Sequence, residues 1–156
     1  MSEGDGMGFE AATGAGRPPA GTAGAREAAV RVAFEGLLQI RRLMGTGAAD
    51  PLAVPAEWEL RQAVRAVALG LEAAGIAPSA VDGDGRRVAT GYCVSRAAAP
   101  AVAQVEWVGP AGSGAAYEEV DALRRCAEAL HRLGWQTLEY RGPRRRRHLE
   151  VEPPRR

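Results

Sequence analysis

The chain has 156 residues, 46% of them hydrophobic and 5% aromatic, which is enough for one domain with a core built mainly from Val, Leu and Ala. Its formal net charge is +1, but the charge is uneven, because the last sixteen residues hold seven of the twenty basic residues and only two of the nineteen acids. No stretch is apolar enough for a transmembrane helix and residues 1–14 lack the pattern of a secretory signal, so we expect a cytoplasmic protein without a membrane span.

The first third of the chain is predicted to contain a disordered segment, one helix and a linker. Residues 1–25 are rich in Gly, Ala and Pro without periodic apolar spacing, so we expect them to be disordered. Residues 26–44 are predicted to form an amphipathic helix, which ends at Gly45, and the Gly- and Pro-containing residues 45–55 are predicted to be a linker. The apolar positions of this helix are Val30, Ala33, Phe34, Leu37, Ile40 and Met44.

Residues 56–152 are predicted to form an α+β domain. Their patterns predict a helix over about 56–74, two or three strands around the turn at 82–85 and over 101–108, a helix over 117–134, and strands over 135–140 and 148–153. The predicted order of the whole chain is therefore α-α-β-β-(β)-α-β-β, which is typical of an antiparallel sheet of four to five strands with two or three helices on one face.

One predicted strand has an irregular pattern. Val102, Val105 and Val108 do not alternate with polar residues at a period of two. This spacing predicts a strand that is bulged or buried on both faces.

An Arg-rich turn between the two final strands is the candidate binding site. The chain contains no Lys and no Asn, as expected for a high-GC bacterial genome, so the number of Arg residues says little and only their clustering is informative. We predict that this turn contacts nucleic acid weakly, or an acidic protein, and that residues 153–156 form a basic tail. The predicted contact residues are Arg141, Arg144, Arg145, Arg146, Arg147 and His148.

The sequence offers few candidates for catalysis or metal binding. Cys93 and Cys126 are far apart and belong to no C-x-x-C motif, so we expect free, buried thiols. His131 has no Ser, Cys or carboxylate partner at a recognisable spacing, and the acidic turn at 82–85 lacks the later ligands of a calcium loop. We therefore expect a non-enzymatic protein that has no cofactor and no metal.

Two functional hypotheses follow. The first is a small accessory or regulatory protein that contacts nucleic acid through the Arg-rich C-terminal hairpin. The second is a protein–protein adaptor or oligomer subunit, in which the helix at 26–44 has no intramolecular partner for its apolar stripe and forms a homo-oligomer. In size and Arg- and Ala-rich composition the chain resembles plasmid and mobile-element accessory proteins of high-GC bacteria, and this resemblance implies an accessory role, for example in transfer or spread.

Overall fold

The computed structural model describes residues 9–143 and 146–155, so residues 1–8 of the segment predicted to be disordered lie outside it. The described residues contain four α-helices and two antiparallel sheets, one of four strands and one of two, which confirms the predicted α+β fold. In chain order the elements are α1 Ala23–Met44, a 3₁₀ helix Pro51–Ala53, α2 Glu57–Arg61, α3 Ala63–Ala73, β1 Ala80–Val81, β2 Arg87–Ala89, β3 Gly91–Arg96, β4 Ala103–Val108, α4 Ala115–Arg132, β5 Gln136–Arg141 and β6 Arg147–Glu152.

The main sheet has the strand order β3-β4-β6-β5, and each neighbouring pair is antiparallel. One face packs against α3 and α4 and contains the largest hydrophobic cluster of the described residues. The other face, here called the open face, exposes 43% of the surface of both Leu138 and Tyr140. The helices therefore lie on one side of the sheet, as the element order predicted.

The prediction that β4 is bulged or buried on both faces is wrong. Ala103, Val105 and Trp107 are buried and alternate with partly exposed residues, and β4 pairs with β3 without a shift of register. The prediction assumed that the valines mark the inward positions. In the structure these positions hold a small, a branched and an aromatic side chain, namely Ala103, Val105 and Trp107.

The small sheet pairs β1 with β2 around the acidic turn at 82–85. The Asp82 carboxylate accepts the backbone N–H groups of Asp84 at 2.9 Å and Arg86 at 3.0 Å. These bonds define a turn stabilised by an aspartate side chain, so the carboxylate has a structural partner in the chain itself.

Residues 12–16, part of the segment for which the sequence predicts disorder, lie against the outer edge of β3 and against β1. The Val94 N–H donates to the Thr13 carbonyl at 2.7 Å. Gly14 has a φ of +94° and approaches the strand so closely that a Cβ there would lie 2.2 Å from the Tyr92 carbonyl oxygen. The glycines that indicated disorder therefore permit this close approach, and the segment covers a strand edge that would otherwise be unpaired.

The first helix begins earlier than predicted and has an intramolecular partner. Val30 and Leu37 are buried against α3, so the expected unpartnered stripe is not found. The buried face continues to Arg41, whereas Ile40 and Met44 are 40% and 71% exposed. The stripe was assigned incorrectly because a charged residue, rather than the apolar residues beside it, fills the inward position in the last turn.

Arg41 is 1% exposed and joins four parts of the chain. Its Nε and Nη2 donate to the Glu59 carboxylate at 2.8 and 2.7 Å. Its Nη1 donates to the carbonyls of Leu52 at 2.6 Å and Leu133 at 2.7 Å. Glu59 also accepts the Ala56 N–H at 3.0 Å. This network connects α1, the 3₁₀ helix, α2 and the end of α4.

The single helix predicted over 56–74 is two helices in the structure. Gln62, with φ −129° and ψ 56°, separates α2 from α3. The break allows the two helices to bury different groups, because Glu59 of α2 reaches Arg41, while Val67 and Leu71 of α3 enter the main core.

The strongest predicted helix is confirmed as α4. Leu123, Cys126 and Leu130 are buried on its inner face. It ends before Gly134, whose φ is +87° and where a Cβ would lie 1.8 Å from the Ala53 carbonyl oxygen. This glycine directs the chain from α4 into β5 and thereby positions the final hairpin.

Candidate nucleic-acid interface

The predicted Arg-rich turn lies at the tip of the β5–β6 hairpin; residues 141–147 are called the hairpin tip below. β5 ends at Arg141 and β6 begins at Arg147, and these two residues are direct partners in the strand register. The Gly142 N–H donates to the Arg146 carbonyl at 2.6 Å and closes the turn. The structure places four of the six predicted contact residues, Arg141, Arg146, Arg147 and His148, whereas Arg144 and Arg145 lie outside the described residues.

The placed arginines of the hairpin tip differ in their partners. Arg147 donates to the Glu139 carboxylate at 2.6 Å. Arg141 and Arg146 are exposed, and neither forms a side-chain hydrogen bond or an ion pair with another described residue. Arg141 and Arg147 lie directly opposite each other in the strand register, and like charges in directly opposite positions of a sheet repel each other. An anion bound at the hairpin tip would relieve this repulsion.

An aromatic pair lies next to the hairpin tip on the open face. The rings of Tyr140 and His148 are stacked, with centroids 5.5 Å apart and an interplanar angle of 19°. The sequence prediction included His148 for its charge and missed Tyr140. The signal for Tyr140 was its place in the hairpin, since it is the register partner of His148 and directly precedes Arg141.

Acidic side chains limit the extent of this basic surface. Glu150 and Glu152 of β6 lie on the same face as Tyr140 and farther from the hairpin tip. Glu106 lies on this face too, on the neighbouring strand β4, one position after the register pair of Val105 with Leu149. A polyanion at the hairpin tip would be repelled if it continued across the open face. The arrangement therefore favours a short contact at the end of the hairpin.

The basic C-terminal segment is divided between two ends of the sheet. β6 runs away from the hairpin tip, so Arg155 follows its far end, where Nε lies 3.8 Å from a Glu152 carboxylate oxygen. A strand of six residues spans about 20 Å, which separates Arg155 from the hairpin tip. The predicted contact residues at the turn and the predicted basic tail at 153–156 therefore belong to opposite ends of β6.

The other titratable residues named from the sequence have structural partners or are buried. Burial raises the pKa of the Cys126 thiol to about 12. His131 Nε2 lies 2.9 Å from the Thr137 hydroxyl oxygen. Across residues 9–143 and 146–155, no three His, Cys, Asp or Glu side chains are grouped as a metal site.

None of the helices that the structure describes combines the length and the apolar composition needed to cross a membrane.

No protein-family model matches the chain, and neither a curated protein nor a solved structure is similar to it.

Proposed function

We propose that the protein is a small, non-enzymatic accessory protein that binds single-stranded nucleic acid weakly and with little sequence preference through the hairpin tip. The observation that supports this most is that Arg141 and Arg146, exposed and without a side-chain partner among the described residues, lie at the same hairpin end as the Tyr140–His148 stack. Guanidinium groups bind phosphates, and an exposed aromatic ring offers a face on which a base stacks. Arg141 directly follows Tyr140 in β5, so their side chains leave opposite faces of the hairpin, and a single strand stacked on Tyr140 would pass around the hairpin end to reach Arg141.

The surface has the size of a contact with a few nucleotides. Base stacking on an aromatic side chain contributes about 1–3 kcal/mol per base, and contacts to about three or four phosphates give a salt dependence of roughly −2 to −3 on a log–log plot for a single strand. The carboxylates of Glu106 and Glu150 on the open face oppose a longer footprint. The end of a hairpin does not hold a helix or a strand in the groove of a duplex. We therefore expect contacts with the phosphate backbone rather than with the edges of the bases.

Fluorescence anisotropy with a labelled 12-nucleotide single strand, its duplex and an RNA of the same sequence tests this proposal. We expect the single strands to bind at low salt, and the double variant Arg141→Ser with Arg146→Ser to weaken binding by about tenfold. A matched control is Arg86→Ser with Arg124→Ser, which removes the same charge from exposed sites elsewhere. Absence of binding at low salt, or an equal loss in both double variants, would contradict the proposal.

A second candidate function, self-association through α1, is favoured by a different observation. After its inner face has packed on α3, α1 still exposes 68% of Val32, 65% of Leu43 and 71% of Met44. Val32 and Leu43 lie eleven residues, or about three turns, apart on one face of α1, and exposed apolar side chains of this kind suit a contact with a second copy. In this case the protein is an oligomer subunit or adaptor, for example an accessory protein of a plasmid or mobile element.

Light scattering across a concentration series distinguishes the two candidates. Self-association predicts a dimer that becomes a monomer when Val32 and Leu43 are both changed to Glu, because two carboxylates would then lie in the interface. Glu substitutions at Val32 and Leu43 leave the hairpin tip intact, so nucleic-acid binding by the monomeric variant shows whether the two functions are separate. A wild-type chain that is a monomer at all concentrations contradicts self-association.

A further inference from the structure

One exposed side of α1 carries a stripe of uncharged residues that runs along most of the helix. The members of the stripe recur every three or four residues, so they lie above one another over about five turns. All of them are exposed, and the charged side chains of the helix lie elsewhere. They are Ala25, Ala29, Val32, Gly36, Ile40 and Leu43, here called the outer stripe.

The charged residues of α1 lie on its two other sides. Arg26 and Arg41 point inward, where they pair with Glu72 and Glu59. The other four recur at helical spacing on a third side, and they are Glu27, Arg31, Glu35 and Arg42. A helix side that faces only water usually carries charged residues, so the outer stripe has the composition of a contact surface.

Gly36 lies near the middle of the outer stripe. A Cβ added there would have no described atom within 4 Å apart from its own helical backbone, so the fold of one copy leaves room for a side chain. A glycine inside a helix lowers its stability relative to alanine. The absence of a side chain does, however, let a second helix approach closely at this point.

The outer stripe matches itself in size when two copies of α1 run in opposite directions. An antiparallel pair centred on position 34 places Leu43 of one copy opposite Ala25 of the other. It also places Val32 opposite Gly36. At both positions a large side chain meets a small one, which is how two helix surfaces interdigitate. A parallel pair would instead place each residue opposite itself, with a gap between the two glycines.

We propose that two copies of the protein form an antiparallel dimer through their outer stripes, with a two-fold axis between Val32 and Gly36. This inference rests on the self-association given above as the second candidate function, and it adds the direction and register of the two helices. The size match within one stripe favours a second copy, because a different partner would not require the stripe to complement itself. The contact involves one helix per copy, about 33 Å long, so we expect a dissociation constant in the micromolar range.

Sedimentation velocity on the full chain, from about 1 µM to about 1 mM, tests the register by exchanging the two central residues. Gly36→Val alone should weaken the dimer at least about tenfold, because two valines then compete for the space of one. Val32→Gly alone should weaken it at least about fivefold, because it leaves a gap. The exchange variant, which carries both substitutions, should return to within about threefold of the wild type, since a valine again meets a glycine.

Gly24→Val is the matched control on the same helix. Gly24 is exposed as well, and a Cβ there would also have no described atom within 4 Å apart from its own helical backbone. It lies seven residues before Arg31 and therefore on the charged side of α1. We expect Gly24→Val to leave the dimer unchanged, while circular dichroism shows that every variant is folded.

Cross-linking tests the direction of the helices independently. A mixture of Ala25→Cys and Leu43→Cys chains should be joined by a short thiol cross-linker. Either variant alone should not be joined, because its two new thiols lie about 27 Å apart in the antiparallel pair. The native Cys93 and Cys126 are 7% and 0% exposed, so they do not compete for the reagent.

The outcomes separate this inference from the functions proposed above. A wild-type chain that is monomeric at every concentration would overturn both the antiparallel dimer and self-association through α1. If Val32→Glu with Leu43→Glu abolishes the dimer but the exchange variant does not restore the affinity lost in Gly36→Val, α1 is the interface and the antiparallel register is wrong. Cross-linking of either cysteine variant alone would also overturn it. Loss of nucleic-acid binding in the variant of Arg141 and Arg146 concerns only the hairpin tip.

Discussion

Arg41 and Arg146 have the same side chain in opposite environments. Arg41 is 1% exposed and donates four hydrogen bonds, to Glu59, Leu52 and Leu133, which are 18, 11 and 92 residues away in sequence. Arg146 is exposed at the hairpin tip and has no side-chain partner among the described residues. The comparison shows that in a chain without lysine the residue type does not reveal the role of a basic group, whereas its partners do.

The difference has an energetic basis. A buried guanidinium is tolerated only when every donor is satisfied, and removing one member of such a pair leaves an uncompensated buried charge. An exposed guanidinium keeps its hydration, so its removal changes stability by little and its charge remains available to a ligand. We therefore expect Arg41 to determine stability and the hairpin tip to determine binding.

The largest predicted effect is that of removing Arg41. Arg41→Ala leaves Glu59 buried without its bidentate partner and two carbonyls without donors, so we expect a loss of about 3–5 kcal/mol in the free energy of unfolding. For a chain of this length that lowers Tm by roughly 10 °C or more, measured by circular dichroism. Replacing Arg41 and Glu59 together with Met and Leu should recover most of the loss, because no charge then remains in the interior. A single variant that costs less than about 1 kcal/mol would contradict the account.

An intermediate effect is expected at Arg26, which is partly exposed. Its guanidinium donates twice to Glu72, at 2.9 and 2.8 Å, and lies 4.7 Å from the centre of the Phe9 ring. Because water reaches this pair, we expect Arg26→Ala to cost about 1–2 kcal/mol in urea unfolding. Glu72→Gln removes only the negative charge of the pair, so it should lower the free energy of unfolding by less than Arg26→Ala does. If Arg26→Ala lowered the free energy of unfolding as much as Arg41→Ala does, the proposed relation between the burial of an ion pair and its contribution to stability would be wrong.

The pH dependence of stability reports on the buried interior. Burial raises the pKa of the Cys126 thiol from 9.0 to about 12, so the folded chain retains this proton where the unfolded chain loses it. The contribution is complete below about pH 9 and is lost as the pH rises towards 12, with a slope of up to about 1.4 kcal/mol per pH unit. Burial also raises the pKa of Tyr92, which acts in the same direction above pH 10. Measured by urea unfolding between pH 8 and about 10, the free energy of unfolding of Cys126→Ala should decline less steeply with pH than that of the wild type. An equal slope in both chains would show that the Cys126 thiol does not contribute to this pH dependence.

The smallest predicted effect on stability is at the hairpin tip. Changing Arg141 and Arg146 to Ser removes no described side-chain contact and relieves the repulsion between Arg141 and Arg147. We expect the free energy of unfolding to change by less than about 0.5 kcal/mol, in either direction. A loss of several kcal/mol in thermal unfolding would show that these residues have a structural role.

Local patterns were sufficient to predict the element types, but contacts between distant elements were not visible in the sequence. The apolar period of α4 and the alternation in β5 and β6 identified those elements, and the turn between them positioned Arg141 and Arg147 as neighbours. The ion pair of Arg41 with Glu59 was missed because the two residues belong to different helices, and no local pattern shows that two charged residues are buried against each other.

The N-terminal segment and the open face are two further places where contacts between distant residues were not visible in the sequence. Composition predicts disorder for residues that are rich in glycine, but it does not show that a strand edge is available to pair with them. Tyr140 was missed because its stacking partner, His148, lies on the other strand of the hairpin.

The most direct test of the central claim is the salt dependence of single-strand binding, compared between the variant of Arg141 and Arg146 and the control variant of Arg86 and Arg124. If the hairpin tip contacts phosphates, the log–log slope should become less steep by about 1 to 1.5 in the first variant and stay unchanged in the control, with both chains as stable as the wild type. Equal slopes in the two variants would show that binding follows net charge alone, and would contradict the assignment of the hairpin tip as the nucleic-acid interface.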